Sequence, residues 1–515
     1  MTIDGIGSWI RRRAVKSRGR DAIVFRDVGT TYDALADRID ALAAGLLARG
    51  VAKGDRVAYL GNNHPSFIEV MFATARIGAV FVPLNTRLSV PELEFQLEDC
   101  GAEVLVHGAG LDAQATGATT ATEIRRIVVV DPVTAPDYAP PSWVEDYESV
   151  LAGAGPLESP PETSLDDPSV IIYTSGTTGR PKGAVLTHGN LTWNALNTLV
   201  DYDVTSTERT LIISPMFHVA AFGMGVLPTL LKGGALLLQE RFVAGEALAT
   251  IERLRATFIS GVPTTYQLMM EDPAWPTADI SSLRSMTCGG SAIPKKVIDA
   301  YAARGLLFSG GYGMTETSPG VTAMPAHHSA AHIGSSGLAH FFTEYRLRDP
   351  ATDEVVAPGE RGEVEVRGPN VLREYWDRPE ATAEAFTEDG WFRTGDIGFA
   401  DEDGFLTIAD RVKDMIISGG ENIYSAEVEQ AIAAIPGVTG VAVIGVPDER
   451  WGEVPHAIVT LAPGHSLAVD GMIAFLRERL AGYKVPRTLE VVAELPRTAS
   501  GKIQKHLLRA ARPRD

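Results

Sequence analysis

The chain reads as an α/β protein: a large N-terminal domain built on parallel sheets, then a small antiparallel unit and a compact α+β C-terminal domain. Three observations predict this. Through the first two-thirds, helical periods alternate with short apolar runs, as in parallel strands joined by helices. From about Thr343 the texture shifts to alternating strands separated by turns. After the charged run Asp410-Arg-Val-Lys-Asp414, helix and strand patterns share a last segment of about one small domain's length.

Taken in order, Leu35, Ile39, Leu42 and Leu46 fall on one helical face, and Gly50 supplies the stop. Residues 57–60 (Val-Ala-Tyr-Leu) follow as a buried strand, with similar runs at 104–106, 127–130, 170–173, 235–238 and 258–260. Helical patterns lie between them, so helices are expected on both faces of the sheets. The stretch 216–231 is the longest apolar one, but it is shorter than a bilayer span and holds His218 and Pro228. Gly362-Glu-Val-Glu-Val-Arg367 and Gly404-Phe-Leu-Thr-Ile408 alternate as antiparallel strands do. In the last segment, helices are expected near 426–435 and 472–480, with strands at 441–446 and 456–461. There is no internal repeat and no low-complexity tract.

At 515 residues the chain has room for about three or four domain-sized units. Hydrophobic content of 45% against 22% charged residues is that of a soluble globular protein with a large core. The net charge of −19 argues against nucleic acid, whose backbone demands a basic footprint. It also means that a site for an anionic nucleotide must gather its Lys and Arg locally. Cys100 and Cys288 are the only cysteines, too few for a disulfide framework or a cysteine zinc site, which suits a reducing cytoplasm. Six basic residues crowd 11–20 without a following apolar core of signal-peptide length, so the run reads as a solvated helix face. No transmembrane segment is expected. Weak peripheral membrane contact is left open, as is the choice between monomer and homodimer.

The most informative stretch is Tyr173-Thr-Ser-Gly-Thr-Thr-Gly-Arg-Pro-Lys-Gly183. Three glycines, four hydroxyl residues and Lys182 follow the apolar run 170–173, so a strand delivers a donor-rich loop suited to wrapping a polyphosphate. A polar turn that merely contains glycines is the alternative. Two other phosphate motifs are excluded. Pro181 stands where a nucleotide loop beginning at Gly176 would need its second glycine, and Pro496 stands five residues before Gly501-Lys502. Gly311-Tyr-Gly313 is followed by Met314-Thr-Glu316 without the third glycine of a dinucleotide fingerprint.

Seven blocks, in order, cover nearly the whole chain. They are the 173–183 loop, Ser214-Pro-Met-Phe-His218, Cys288-Gly-Gly-Ser291, Tyr312-Gly-Met-Thr-Glu-Thr317, Trp391-Phe-Arg-Thr-Gly-Asp396, Asp410-Arg-Val-Lys-Asp414 and Pro496-Arg-Thr-Ala-Ser-Gly-Lys502. Together they resemble the adenylate-forming acyl-CoA synthetases, whose relatives include firefly luciferase and peptide-synthetase adenylation domains. The resemblance implies an N-terminal adenylation domain over 1–410, with two parallel-type sheets, flanking helices and a small β-barrel subdomain. It implies a mobile α+β lid over 411–515 and a hinge near 410–414.

The family's reaction runs in two halves. A carboxylate attacks the α-phosphate of ATP, giving an acyl-adenylate and pyrophosphate; the thiol of coenzyme A then displaces AMP. Catalysis is alignment of two anions and neutralisation of charge building on phosphate. By resemblance, Lys502 bridges the carboxylate and the α-phosphate, and Glu316 binds Mg2+ together with Thr174, hard oxygen donors for a hard ion. The nucleotide would be held by Thr174, Ser175, Gly176, Thr177, Thr178, Gly179 and Lys182 around the phosphates. Gly289, Gly290 and Ser291 would line one adenine face, and Gly311, Tyr312, Gly313, Met314 and Thr315 the other. Asp396 would accept the ribose hydroxyls, with Arg411 reaching ribose or phosphate. Lys413 falls at the family's hinge, whose rotation would withdraw Lys502 and bring Ser418, Gly419, Gly420 and Glu421 towards the pantetheine tunnel.

His218 bears on the acid. Amino-acid-activating relatives carry an Asp there to pair the substrate ammonium; a mostly neutral His offers no such counter-charge, which disfavours an α-amino acid. His218 is expected to guide the carboxylate or gate the acyl channel. Phe217, Phe222, Gly313 and Met314 form the expected acyl pocket, with Gly223 and Gly225 leaving space. The main reading is therefore a medium- or long-chain fatty acid, with an aryl acid of cinnamate, ferulate or benzoate type as the alternative. Phe341-Phe342, where many relatives carry Pro-Gly, is expected to reshape the acyl end. Loading of a separate carrier protein and luciferase-like monooxygenation rank below, and intact Lys502 and Glu316 argue against a non-enzymatic scaffold.

Overall fold

Leu35, Ile39, Leu42 and Leu46 are at most 2% exposed and form the buried side of the helix Tyr32–Ala48. Burial of each contributes about 2 kcal/mol, which fixes the helix face that the sequence period marks. Thr31 caps the start by accepting the Ala34 N–H. The next helix, Pro65–Ile77, starts on His64 with proline in its first turn and ends on Gly78 in the left-handed conformation. The computed structural model describes residues 4–174, 181–289, 293–329, 331–332, 334–411, 414–418, 421–448, 451–480, 482–497 and 503–512, with backbone alone at 411, 417, 421, 422 and 452.

The chain divides into two units, Met1–Tyr345 with Val366–Phe392, and Arg346–Glu365 with Arg393–Asp515. The first holds two large sheets. One runs in the order 338–339, 320–324, 308–313, 285–288, 258–261, 209–212, 235–238, 21–25, 28–31. Its six central strands are parallel, and antiparallel strands finish both edges. The other runs 374–375, 182–187, 168–174, 80–83, 56–60, 102–108, 125–129, 145–146, again parallel except at the 182–187 end. The expected apolar strands are all present, because strands buried on both faces must be continuously apolar.

In the second unit lies most of a four-stranded sheet, 344–348, 362–367, 392–400 and 406–411, whose last pair is antiparallel. A five-stranded sheet follows, in which Gly452–Leu461 pairs with Val438–Asp448 on one side and Thr488–Val491 on the other. The helices Ser425–Ala433 and Val469–Arg477 bury Val428, Ile432, Met472 and Leu476 against Val443 and Val459.

Two details depart from the sequence reading. The basic run near the N-terminus is paired rather than merely solvated: Arg11 bonds Asp37 and Asp40, Arg12 bonds Asp4, and Arg13 donates to the Leu231 carbonyl at a helix end. A neighbouring helix bearing Asp37 and Asp40 supplies the counter-charge that a one-dimensional reading misses. The apolar stretch at 216–231 is broken into a turn, a π-helical segment at Ala221–Val226 and a short helix at Leu227–Lys232. Among the described residues no helix is long and apolar enough to cross a membrane.

Candidate active site

The strands Pro168–Thr174 and Lys182–Thr187 form an antiparallel hairpin with Thr174 opposite Lys182 and Tyr173 opposite Gly183. The Thr174 hydroxyl donates to the Lys182 carbonyl at 3.4 Å, tying the two strand ends together. Ser175, Gly176, Thr177, Thr178 and Gly179 lie outside the described residues. The hairpin is held from outside by a strap at 372–378. Trp376 N–H donates to the Gly183 carbonyl at 2.7 Å, and its indole N–H to the Asp99 carbonyl at 3.1 Å. The Asp99 carboxylate accepts the Tyr173 hydroxyl at 2.8 Å and pairs with Arg378. Burial pushes the Tyr173 phenol up, so it stays a donor to Asp99.

The Gly311-Tyr-Gly313 block lies on the strand Phe308–Gly313 at the edge of the parallel core. Beneath it Tyr266, Tyr301 and Phe308 stack edge to face, and the Tyr266 hydroxyl donates to the Thr287 carbonyl at 2.7 Å. A Cβ at Gly313 would run into the Pro319 carbonyl oxygen, so only glycine fits this turn. The short helix Thr315–Thr317 carries Glu316, 8% exposed, whose Oε1 accepts the Tyr375 hydroxyl at 3.0 Å. Lys182 Nζ stands 5.3 Å from the centroid of that same Tyr375 ring. Lys182 and Glu316 thus meet at one tyrosine, and Thr174 is tied to the Lys182 backbone. Gly289 follows the strand Ser285–Cys288, and a Cβ there would meet nothing within 4 Å, an open position; Gly290 and Ser291 lie outside the described residues.

The expected acyl wall is local. The Phe217 ring packs 4.7 Å from His218, and Phe222 is fully buried in the π-helical segment. Such π-segments recur at functional sites because they displace side chains from helical register. A Cβ at Gly223 would sit 2.6 Å from Pro319 Cδ, so this segment packs against the turn that follows Glu316. Phe341 is 69% exposed and Phe342 stacks on Trp193 at 5.1 Å. Phe341 faces solvent, whereas Phe342 is partly covered by Trp193.

Sequence reasoning missed a set of asparagines that hold these parts together. On the helix His188–Asp201, Asn190, Asn194, Asn197 and Asp201 repeat at intervals of four, three and four, on one face. Asn190 donates to the Pro369 and Val371 carbonyls. Asn194 donates to the Gly223 carbonyl and accepts the Gly320 N–H. Asn197 donates to Thr343 and accepts the Phe342 N–H, and Asp201 pairs with His340. Asn63 does the same for the His218 block, donating to the Ser214 carbonyl and accepting the Met216 N–H. The buried polar spacing was visible; its partners were not.

In the second unit Asp396 is 4% exposed on the strand Phe392–Ala400, in register with Arg411. Gly395 N–H donates to Glu363, a carboxyl whose pKa is raised by burial. Asp410 accepts the Ser425 hydroxyl at 2.8 Å and the Ala426 N–H at 3.3 Å at the start of the helix Ser425–Ala433. Lys505 reaches the same Ser425 hydroxyl at 2.6 Å and pairs with Glu429 at 2.7 Å. Ser418 faces Glu421 across a hairpin. Lys413, Gly419, Gly420 and Lys502 lie outside the described residues.

Residues 10–376 match the model of the AMP-binding enzyme family, and residues 427–502 that of the AMP-binding enzyme C-terminal domain. A feruloyl-CoA synthase of Amycolatopsis is 49% identical over 505 residues, covering 98% of both chains. A long-chain-fatty-acid–CoA ligase of Mycobacterium tuberculosis is 39% identical over 515 residues, again 98% of both. Among solved structures, o-succinylbenzoate CoA synthetase of Bacillus subtilis with its acyl-adenylate superposes with a TM-score of 0.87 at 31% identity, over 100% of both chains. The chain therefore belongs to the AMP-binding enzyme family and is an AMP-forming acyl-CoA synthetase that works with ATP, Mg2+ and coenzyme A.

Proposed function

We propose that this synthetase activates an aryl acid of the hydroxycinnamate type, with ferulate as the model substrate, and releases the aryl-CoA thioester. The observation that carries this reading is the 49% identity to a feruloyl-CoA synthase along 98% of both chains, against 39% to a long-chain-fatty-acid ligase. It reverses the order reached from the residues alone, where a fatty acid stood first. The apolar wall of Phe217 and Phe222 suits an aromatic ring as well as an aliphatic tail, so composition could not separate the two. His218 beside Phe217 offers no carboxylate to pair an ammonium, which supports an acid without one.

In the first half-reaction a substrate carboxylate oxygen attacks the α-phosphorus and pyrophosphate leaves; in the second the thiol sulfur attacks the acyl carbon and AMP leaves. The 173–183 loop with Lys182 would embrace the polyphosphate, and His218 would orient the carboxylate. Glu316 and Thr174 fit a hard metal ion, since both offer oxygen and Glu316 adds a negative charge within a largely desolvated turn. Bound there, magnesium would supply charge neutralisation on the triphosphate. Asp396 would accept the ribose hydroxyls, with Arg411 beside it in register. Lys502 would bridge carboxylate and α-phosphate, and the segment after residue 410 would turn at Lys413 between the two halves, carrying Ser418 to Glu421 into the thioester step. Two free, buried cysteines support a cytoplasmic setting.

Ferulate, cinnamate, dodecanoate and phenylalanine, each scored for pyrophosphate release and CoA thioester, test the reading. A kcat/KM for ferulate at least about tenfold above that for dodecanoate supports it. The reverse order restores the fatty-acid reading.

A further inference from the structure

The strap at 372–378 does more than close a sheet edge. Its first tie is the Leu372 N–H to the Glu316 carbonyl at 2.7 Å. Its two-residue strand Glu374–Tyr375 then pairs with Ala184 and Val185 in the phosphate-loop hairpin. One short segment therefore touches both the turn that presents Glu316 and the strand that leaves the loop through Lys182. Tyr375 sits at the crossing point. Its hydroxyl donates to Glu316 Oε1 at 3.0 Å, and its ring face lies 5.3 Å below the Lys182 ammonium.

We propose that Tyr375 is a positioning residue for adenylation, fixing the Glu316 carboxylate through its hydroxyl and the Lys182 ammonium through its ring face. A carboxylate that must bind a metal–triphosphate gains from having one oxygen committed to a donor, because its plane can no longer rotate. A lysine on a four-carbon stem gains from an aromatic platform that favours one location for its charge. The platform itself is rigid: Trp376 is held by the Gly183 and Asp99 carbonyls and Arg378 by the Asp99 carboxylate. Asp99 also accepts the Tyr173 hydroxyl, so the strap and the loop's entering strand share one anchor.

The inference rests on the reading that Glu316 helps to hold the metal–nucleotide, and the experiment separates the two. Tyr375→Phe keeps the ring and removes only the hydroxyl; Tyr375→Leu removes both. Mn2+ binding to the ATP-loaded enzyme without acid, followed by electron paramagnetic resonance, reports the carboxylate apart from turnover. Thermal unfolding and thioester formation from a synthetic feruloyl-adenylate report the rest of the molecule. Expected for Tyr375→Phe is about tenfold weaker Mn2+ binding and about tenfold slower pyrophosphate release, with less than about twofold change in the thioester step. Tyr375→Leu should add a rise in the KM for ATP through the freed Lys182. Wild-type Mn2+ affinity and adenylation in Tyr375→Phe overturn the proposal, as does an equal loss in both half-reactions with a lowered Tm. Glu316→Gln is the control. If it weakens Mn2+ binding and Tyr375→Phe does not, the Tyr375 proposal alone falls; if it leaves Mn2+ binding intact, the metal reading of Glu316 falls and takes this proposal with it.

Discussion

The Asn194 side chain joins two glycines from distant parts of the sequence. It donates to the Gly223 carbonyl at 2.9 Å and accepts the Gly320 N–H at 3.0 Å, with Asn194 itself fully buried. The π-helical wall behind His218 and the strand that follows Glu316 are thereby fixed to the same helix. Truncating Asn194 to Ala leaves one backbone carbonyl and one N–H without their partner. We expect a loss of about 2–4 kcal/mol, read from urea unfolding, and a raised KM for the acid. A variant as stable as the parent would show that the two groups find other partners.

The two half-reactions should separate genetically. Lys502→Ala is expected to slow adenylation about a hundredfold or more while sparing thioester formation from a synthetic adenylate. Lys413→Pro, which restricts φ at the expected hinge, should do the opposite: pyrophosphate appears and thioester does not. Pyrophosphate burst assays beside thioester chromatography measure both. Equal losses in either variant would remove the swivel from the mechanism.

Two buried histidines contribute to acid sensitivity. Burial lowers His107 and His188 to about 4, with the Arg126 charge adding to the effect at His107. His107 Nε2 lies 3.0 Å from Arg126 Nη2, and His188 Nδ1 accepts the Ile6 N–H, so both rings are neutral in the fold. The unfolded chain takes up a proton near the ordinary value of about 6.5. Their contribution is therefore fully present above about pH 6.5 and is lost as pH falls towards 4, up to about 3 kcal/mol each. Urea midpoints at pH 7 and 4.5 for His188→Gln should differ less than those of the parent. An unchanged difference would assign the acid loss elsewhere.

Neither cysteine is expected to act as a nucleophile. Burial pushes the Cys100 and Cys288 thiols up to about 12, and both are free and buried. Iodoacetamide at pH 8 should leave the native enzyme active and unlabelled, with both thiols labelled only after denaturation. Rapid inactivation of the native protein would contradict this.

The candidate site residues were legible along the chain because they lie in contiguous blocks. The glycine- and hydroxyl-rich loop after a strand singled out Lys182, and the family resemblance of the blocks pointed to Thr174 and Glu316, whose roles are proposals. Tyr375 was not legible: it lies about sixty residues from Glu316 in sequence, and its hydroxyl has meaning only once the strap pairs with the hairpin. The asparagines of the helix His188–Asp201 showed a period but no partners, since their bonds run to backbone atoms that any residue could supply. Substrate class escaped for a related reason. Apolar side chains such as Phe217 and Phe222, proposed for the acyl wall, signal greasiness and not which shape would be admitted.

The sequence by itself determined the element types, the parallel character of the sheets and the family's chemistry, since periodicity and contiguous motifs are local properties. Only tertiary structure decided which groups share a neighbourhood. Pairing of the 374–375 strand with the loop hairpin brought Tyr375 to Glu316, and glycine at 223 and 313 let the π-helical segment and the Glu316 turn close on Ser318 and Pro319. Those contacts depend on backbone approach and hydrogen-bond direction between segments that lie apart in the sequence. That information exists only when the sheets have formed.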